Sequence, residues 1–293
     1  MIEDNAFPSD SYAVGSQVEF HGFAIDEAVI RLKPREGEHT LRTADVCELL
    51  EREGDSIALV MLGGVNYLTG QFMDMKTLTG VGREQGCVVG WDLAHAAGNV
   101  PMQLHDWGLD FAAWCNYKYI NAGPGAIAGA FVHERHHDTD RPRFAGWWGN
   151  DPVSRFKMEA EFIPEHIADA WQLSNPPILA MTPLKASLSI FDEIGMDRLR
   201  EKSTQLTGYM ESLITQRLDG RVEIITPMNP NERGSQLSLV VHGDVSGIRD
   251  MLESRGVVAD FREPNVIRVA PVPMYVSYHD AWRFVDVLHE LVN

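Results

Sequence analysis

A chain of 293 residues with 44% apolar, 23% charged and 9% aromatic residues has the length for two ordinary domains and the apolar content for a large core, which excludes a disordered chain. Its net charge of −17 argues against nucleic acid or an anionic membrane as a partner, since both require clustered Lys and Arg. No apolar run approaches the ~20 residues of a membrane span, "MIEDNAFPSDSYAV" shows no secretory leader, and three cysteines without CxxC spacing fit a reducing compartment, so a soluble cytoplasmic protein with small-molecule or protein partners is expected.

In chain order, the front, "FPSDSYAVGSQVEFHG", reads as a strand-like start with no core element ahead of it, so the front of the chain is expected to be incomplete. "SIALVML" (Ser56 to Leu62) reads as a buried strand, "KTLTGVGREQG" (Lys76 to Gly86) as a helix and "CVVGWD" (Cys87 to Asp92) as the next strand. "AHAAGNVPMQLHDWG" suggests a short helix, "LDFAAWCNYKY" a third strand and "AIAGAFVH" (Ala126 to His133) a fourth. Strand, helix, strand at this spacing predicts α/β units around a largely parallel sheet. The second half changes character. A long amphipathic helical stretch (Met181 to Leu218) breaks at Gly195, followed by strands "VEIIT", "SQLSLVVHG" and "VIRVAP", the helix "VSGIRDMLESRG" and a closing helix "HDAWRFVDVLHELV". This predicts a large domain over residues 1–180 and a smaller α+β domain over 181–293, divided near "NPPILAMTP".

Two residues carry chemistry. Lys118, flanked by tyrosines in "NYKYINAGPG", sits in an apolar run. Desolvation of its ammonium would lower its pKa and make it a nucleophilic amine, although a lysine can equally snorkel to the surface from a strand edge. Asp92 ends an apolar strand at the sheet edge where open α/β folds place ligands, with His95 three residues on. Its plainer role is to cap the following helix, since "DLAH" is an ordinary helix start. A lysine for an aldehyde and an aspartate for a pyridinium nitrogen is the pair that pyridoxal phosphate requires. Other residues have plain readings of their own: Trp147 and Trp148 as core aromatics, Asn175 as a turn residue, Arg268 as a surface charge and "FPSD" as a loop. His133, His136 and His137 read as solvated loop residues without metal-ligand spacing, so no metal is expected.

The block "GWDLAHAAGNVPMQLHDWGLDFAAWCNYKYINAGPGAIAGAFVHERH" resembles kynureninase, a fold-type-I pyridoxal-phosphate hydrolase, and the likeness runs from "FPSDSYAV" through "GWWGND", "LSNPPIL" and "RGSQLSL" to "RVAPVPMY". The resemblance implies cleavage of the β–γ carbon bond of L-kynurenine or 3-hydroxykynurenine by a homodimer in tryptophan catabolism. It implies that Lys118 forms the Schiff base with the cofactor and that Asp92 pairs with the ring nitrogen, with His95 beside it. Phe7, Pro8, Ser9 and Asp10 of "FPSD" would line the cofactor, Phe7 stacking on the ring and Asp10 meeting its polar edge. Tyr117 would contact the phosphate and serve as a candidate general acid. Trp147 and Asn175 would complete the site, partly across the dimer interface, and Arg268 would clamp the substrate carboxylate. Family members carry ahead of "FPSD" a Leu-Thr pair at a helix N-terminus that grips the phosphate, which is absent here, and Gly63 stands where some carry a serine. The alternatives are another fold-type-I enzyme such as a cysteine desulfurase, which would need a mobile loop cysteine, and a remnant that only folds or dimerises.

Overall fold

The computed structural model describes residues 1–243 and 245–292. A two-residue strand, β1 (Ile2–Glu3), pairs in parallel with β2 (Arg31–Leu32). Between them lie helices α1 (Pro8–Phe20) and α2 (Ile25–Ala28). The front is therefore helical where its sequence reads as strand. Pro8 sits in the first turn, where its missing N–H costs nothing. Only Gly15 of α1 is buried, so the helix lies on the surface and its sequence carries no clear 3.6-residue stripe.

After α3 (Thr43–Glu53) the first sheet begins, with β3 (Leu59–Gly63), α4 (Met75–Glu84), β4 (Val88–Asp92), β5 (Phe111–Trp114) and β6 (Gly129–Val132). The spatial order is β3-β4-β5-β6, with the first three strands parallel and β6 antiparallel. Helix α4 starts where Asp74 accepts the Thr77 N–H (3.0 Å), and it buries Met75, Leu78, Thr79 and Gly82. Thr79 Oγ1 accepts from the indole N–H of the fully buried Trp91 (3.0 Å), so α4 is fixed over β4 by a hydrogen bond as well as by apolar packing. Gly90, at the centre of β4, leaves room for the ring of Phe111 on β5: a Cβ there would lie 2.1 Å from the ring. Gly90→Ala is expected to destabilise the chain by at least ~2 kcal/mol, read as a lowered urea midpoint, because neither strand can shift without breaking its ladder.

Residues 94–108 do not form the expected helix. They run as turns, because Gly98 and Gly108 take positive φ (77° and 74°) and Pro101 follows closely. Gly98 also lets the turn approach the next loop, where a Cβ would meet the Tyr119–Ile120 backbone at 2.9 Å. Strand β5 stops at Trp114, four residues short of Lys118. Asn116 ends it by donating to the Ile127 carbonyl (2.7 Å) and accepting from the Trp114 indole (3.0 Å). Lys118 is thus a loop residue, and the cysteines expected in strands, Cys87 and Cys115, flank β4 and β5 instead. His133 is no solvated loop residue. It is buried at the end of β6 and stacks on His105 at 4.7 Å, while His136 bonds Asp110 at 2.6 Å.

The second half runs α5 (Ile178–Ile194), α6 (Met196–Arg217), β7 (Val222–Ile224), β8 (Leu237–Val241), α7 (Ile248–Ser254), β9 (Asp260–Arg262), β10 (Val266–Val269) and α8 (Tyr278–Val292). Gly195, at φ 82°, separates α5 from α6 as its position in the sequence predicts. The sheet order β7-β8-β10-β9 is antiparallel throughout. Helices α6 and α8 cover it with Met210, Ile214, Phe284 and Leu288, against Leu237, Leu239 and Ile267. This core is separate from the one under the first sheet, which gathers Val60, Leu62, Val89, Trp91 and Ala112.

Candidate active site

The carboxyl ends of the parallel strands and one edge of the second sheet face a shared cavity of about 430 Å³. Lys118 lines it with Phe7, Tyr67, His95, Tyr119 and Arg268. The loop after β5 positions the lysine: Asn121, at φ 59°, accommodates the turn, and its side chain donates to the Tyr119 carbonyl (2.8 Å). Lys118 is half-buried, with Nζ 5.6 Å from the Phe7 ring centroid and 6.0 Å from that of Tyr117. Among the described residues it forms no ion pair, so its amine is available to a ligand in the cavity.

Asp92 ends β4 and accepts the Ala94 N–H on Oδ1 (2.8 Å), so it does shape the following turn. It also shares a hydrogen bond with Asp10, delivered by the first turn of α1. Two carboxylates in contact cannot both ionise cheaply. Burial, then the neighbouring Asp92, push Asp10 up to about 7, with Lys118 opposing. In the ligand-free protein the folded form keeps a proton on Asp10 that the unfolded chain loses near 3.8. That contribution to stability is complete below the lower value and is lost as pH rises to about 7. Thermal melts are expected to show the parent falling relative to Asp10→Asn by a few degrees between these limits and staying level above them; a gap independent of pH would contradict the shared proton.

His95 faces the cavity from the turn after β4, its ring set edge-on to Tyr119 at 5.9 Å. Burial, then the positive charges of Lys118 and Arg268, lower its pKa to about 3. The imidazole is therefore neutral, and its buried Nδ1 has no partner among the described residues. Phe7 stands edge-on to Tyr67 at 5.3 Å, while Pro8 and Ser9 are exposed on the first turn of α1. Tyr117 is 54% exposed, and a hydrogen bond with Cys115 raises its phenol pKa.

From the second sheet, Arg268 of β10 enters the cavity with only 10% of its side chain exposed. Its Nε donates to Asp260 Oδ2 (2.5 Å) and Nη1 to the Tyr67 carbonyl. Asp260 is its register partner on β9 and also binds Arg262 at 2.9 Å. Burial alone would raise the Asp260 pKa, but hydrogen bonds from the two arginines hold it below the usual range. Sequence reasoning missed Asp260, Arg262 and Tyr67. The alternation of "DFR" as a third strand beside "VIRV" was the available signal.

Trp147 and Asn175 are not among the residues lining this cavity. Both are exposed on the irregular segment between β6 and α5, where Trp147 meets Phe156 edge-on at 5.7 Å. Among the described residues no group of three or more metal-ligating side chains gathers, and no helix is long and apolar enough to cross a membrane.

The residues present fit pyridoxal phosphate. A primary amine for its aldehyde stands beside an aromatic face, and an acid pair that repels itself is matched to a protonated ring nitrogen. The orphaned Nδ1 of His95 is a buried polar atom awaiting a partner.

Comparison with known proteins agrees with this chemistry. The profile of the kynureninase C-terminal domain matches residues 199–288. A kynureninase of Salinispora tropica is 58% identical over all of this chain and 69% of that protein. Among solved structures, the apo cysteine desulfurase of Thermococcus onnurineus superposes with TM-score 0.81 at 18% identity, covering 99% of this chain and 72% of that one. A C-DES mutant described with glycine covalently linked to its PLP cofactor gives TM-score 0.81 at 17% identity, covering 99% of this chain and 73% of that one. At such identities the likeness speaks to the fold alone.

Proposed function

The chain belongs to the kynureninase family, and we infer from that premise that it hydrolyses L-kynurenine or 3-hydroxykynurenine to anthranilate or 3-hydroxyanthranilate plus L-alanine, with pyridoxal phosphate as cofactor. The observation that carries this reading is the single cavity in which Lys118, His95 and Arg268 meet, with the Asp10–Asp92 pair beside it. The fold is that of fold-type-I pyridoxal-phosphate enzymes, and the match to curated kynureninases over the whole chain selects hydrolysis among their reactions. When bound, the cofactor supplies an electron sink for the charge developed at the substrate α-carbon.

The chain's own residues do the rest. Lys118 would hold the cofactor through its amine, and the same amine, as a base, would carry the proton taken from the substrate α-carbon. Asp92, paired with Asp10, would keep the cofactor's ring nitrogen protonated, Phe7 would pack against the ring, and Pro8 and Ser9 begin the helix that follows Phe7. His95 stays neutral at working pH and offers Nδ1 to the cofactor. Arg268, oriented by Asp260 and the Tyr67 carbonyl, receives the substrate carboxylate. Tyr117 moves a proton during water addition at the γ-carbonyl. We take residues 1–180 as the cofactor domain and 181–293 as the smaller domain that brings Arg268 to it.

Trp147 and Asn175 belong to a surface that supports a homodimer. Phe144, Val153, Phe156, Ile178 and Leu179 are each three-quarters or more exposed around them, a stretch of apolar surface that isolated soluble chains rarely leave uncovered. In this reading both residues reach the partner's cavity. The protein works in tryptophan catabolism in the cytoplasm. Incubating it with pyridoxal phosphate and L-kynurenine is expected to give anthranilate and L-alanine in equal amounts by chromatography; absence of both products from the folded, cofactor-loaded chain would remove the activity.

A further inference from the structure

Glu3 is a carboxylate that the chemistry above leaves unused. It ends β1, is only 5% exposed, and both of its oxygens are bonded: Oε2 accepts from the Gly63 N–H (2.9 Å) and Oε1 from Asn66 Nδ2 (2.8 Å). Strand β1 is fixed against β3 because the Met61 N–H donates to the Met1 carbonyl (3.0 Å) and the Met1 amine to the Leu59 carbonyl (2.7 Å). Gly63, which holds Glu3, is the register partner of Asp92 across β3 and β4. The Glu3 carboxyl is therefore anchored on the strand end adjoining Asp92. It leaves little room at Gly63, where a Cβ would approach Oε2 to 3.1 Å.

Among the described residues Glu3 has two N–H donors and no cation of its own, an unusual expense for a buried carboxyl unless its charge acts on something nearby. The charged groups that face the cluster are Asp92 from β4, Asp10 from α1 and Lys118 from the loop after β5. Resting on the reading of Asp92 and Asp10 as the ring-nitrogen acids, we propose that Glu3 is a positioning residue: buried and held by Gly63 and Asn66, it forms with the half-buried Asp10 and Asp92 one three-carboxyl unit and so sets how much negative charge the two aspartates present to the cofactor ring. The electrostatics are reciprocal. Burial and the Asp92 charge push Glu3 up, and Glu3 is in turn among the charges pushing Asp10 up. Such a unit takes up and releases protons jointly, so altering one member moves the others.

The test is a carboxyl ¹³C NMR titration of the ligand-free protein labelled at Asp and Glu. In the parent, one carboxyl step is expected at about 7, and Glu3→Gln should move it down, since a repelling neighbour has gone. Should Glu3→Gln unfold the chain, Asp10→Asn supplies the reciprocal measurement, in which the Glu3 signal itself moves down. An Asp10–Asp92 step unmoved by Glu3→Gln, or a Glu3 signal unmoved by Asp10→Asn, overturns the proposal. Adding pyridoxal phosphate separates the two claims. If Glu3→Gln and Asp92→Asn both shift the pH response of the bound cofactor's visible absorbance, unit and ring contact stand together. If the carboxyls are coupled by NMR while neither variant moves that absorbance, the ring-nitrogen assignment fails and the three-carboxyl unit remains.

Discussion

Lys118→Ala is expected to abolish the visible absorbance that pyridoxal phosphate acquires on linkage to a protein amine, and to lower kynurenine turnover by at least about a thousandfold. The loss should be chemical and not structural. Lys118 is half-buried on a loop whose shape is set by Asn116 and Asn121, and among the described residues it makes no ion pair whose loss would strand a buried charge. The melting temperature should therefore stay within about a degree or two of the parent. Two neighbours report the missing charge independently of activity. Lys118 helps to lower the His95 pKa and to lower that of Asp10, so in the variant both should rise. Turnover within about tenfold of the parent, measured on protein free of parent enzyme, would refute the assigned role.

Much of this was legible in the sequence. Period and punctuation gave β3, α4, β4 and the break at Gly195, because β3 and α4 run into glycines and β4 is a short apolar run closed by Asp92. What the sequence hid follows from tertiary context. Helix α1 buries almost nothing, so periodicity could not separate it from a strand. Residues 94–108 have helical composition, but Gly98 is needed where the turn meets the Tyr119–Ile120 backbone, and that contact lies 21 residues away in the chain. Asp92 and Lys118 pointed to chemistry only as a pair, since each alone has a plain reading, a helix cap for one and a snorkelling strand-end amine for the other. Glu3 and Asp260 were not: an isolated acid in "MIED" or "ADFR" looks like solvated charge until the fold puts Gly63 against one and Arg268 against the other. Gly63 shows the same point in reverse. A position notable for lacking a serine offers only its backbone amide, and that amide already binds Glu3.

Asp92→Asn tests whether Asp92 is more than the capping residue its sequence context suggests. The Ala94 N–H is accepted by Oδ1, and an asparagine keeps that acceptor at the same position. The turn that carries His95 should therefore survive, and the melting temperature with it. Only the charge is lost. If the aspartate does no more than shape the turn, turnover will barely change. If it holds the ring nitrogen protonated, the electron sink is weakened in a site where fixed charge is worth far more than in water, and turnover should fall about a hundred- to a thousandfold. Asp10 supplies an internal gauge. The charge of Asp92 and the hydrogen bond between the two help raise Asp10 to about 7, so in Asp92→Asn its titration should fall toward the ordinary carboxylate range. Asp92→Ala separates the two roles further. It removes charge and acceptor together, so it should match the activity loss of the asparagine variant and add about 1 kcal/mol of instability from the unsatisfied Ala94 N–H. Equal stability of the two variants would mean the turn does not depend on Asp92, and near-parent turnover in Asp92→Asn would return the residue to a structural role.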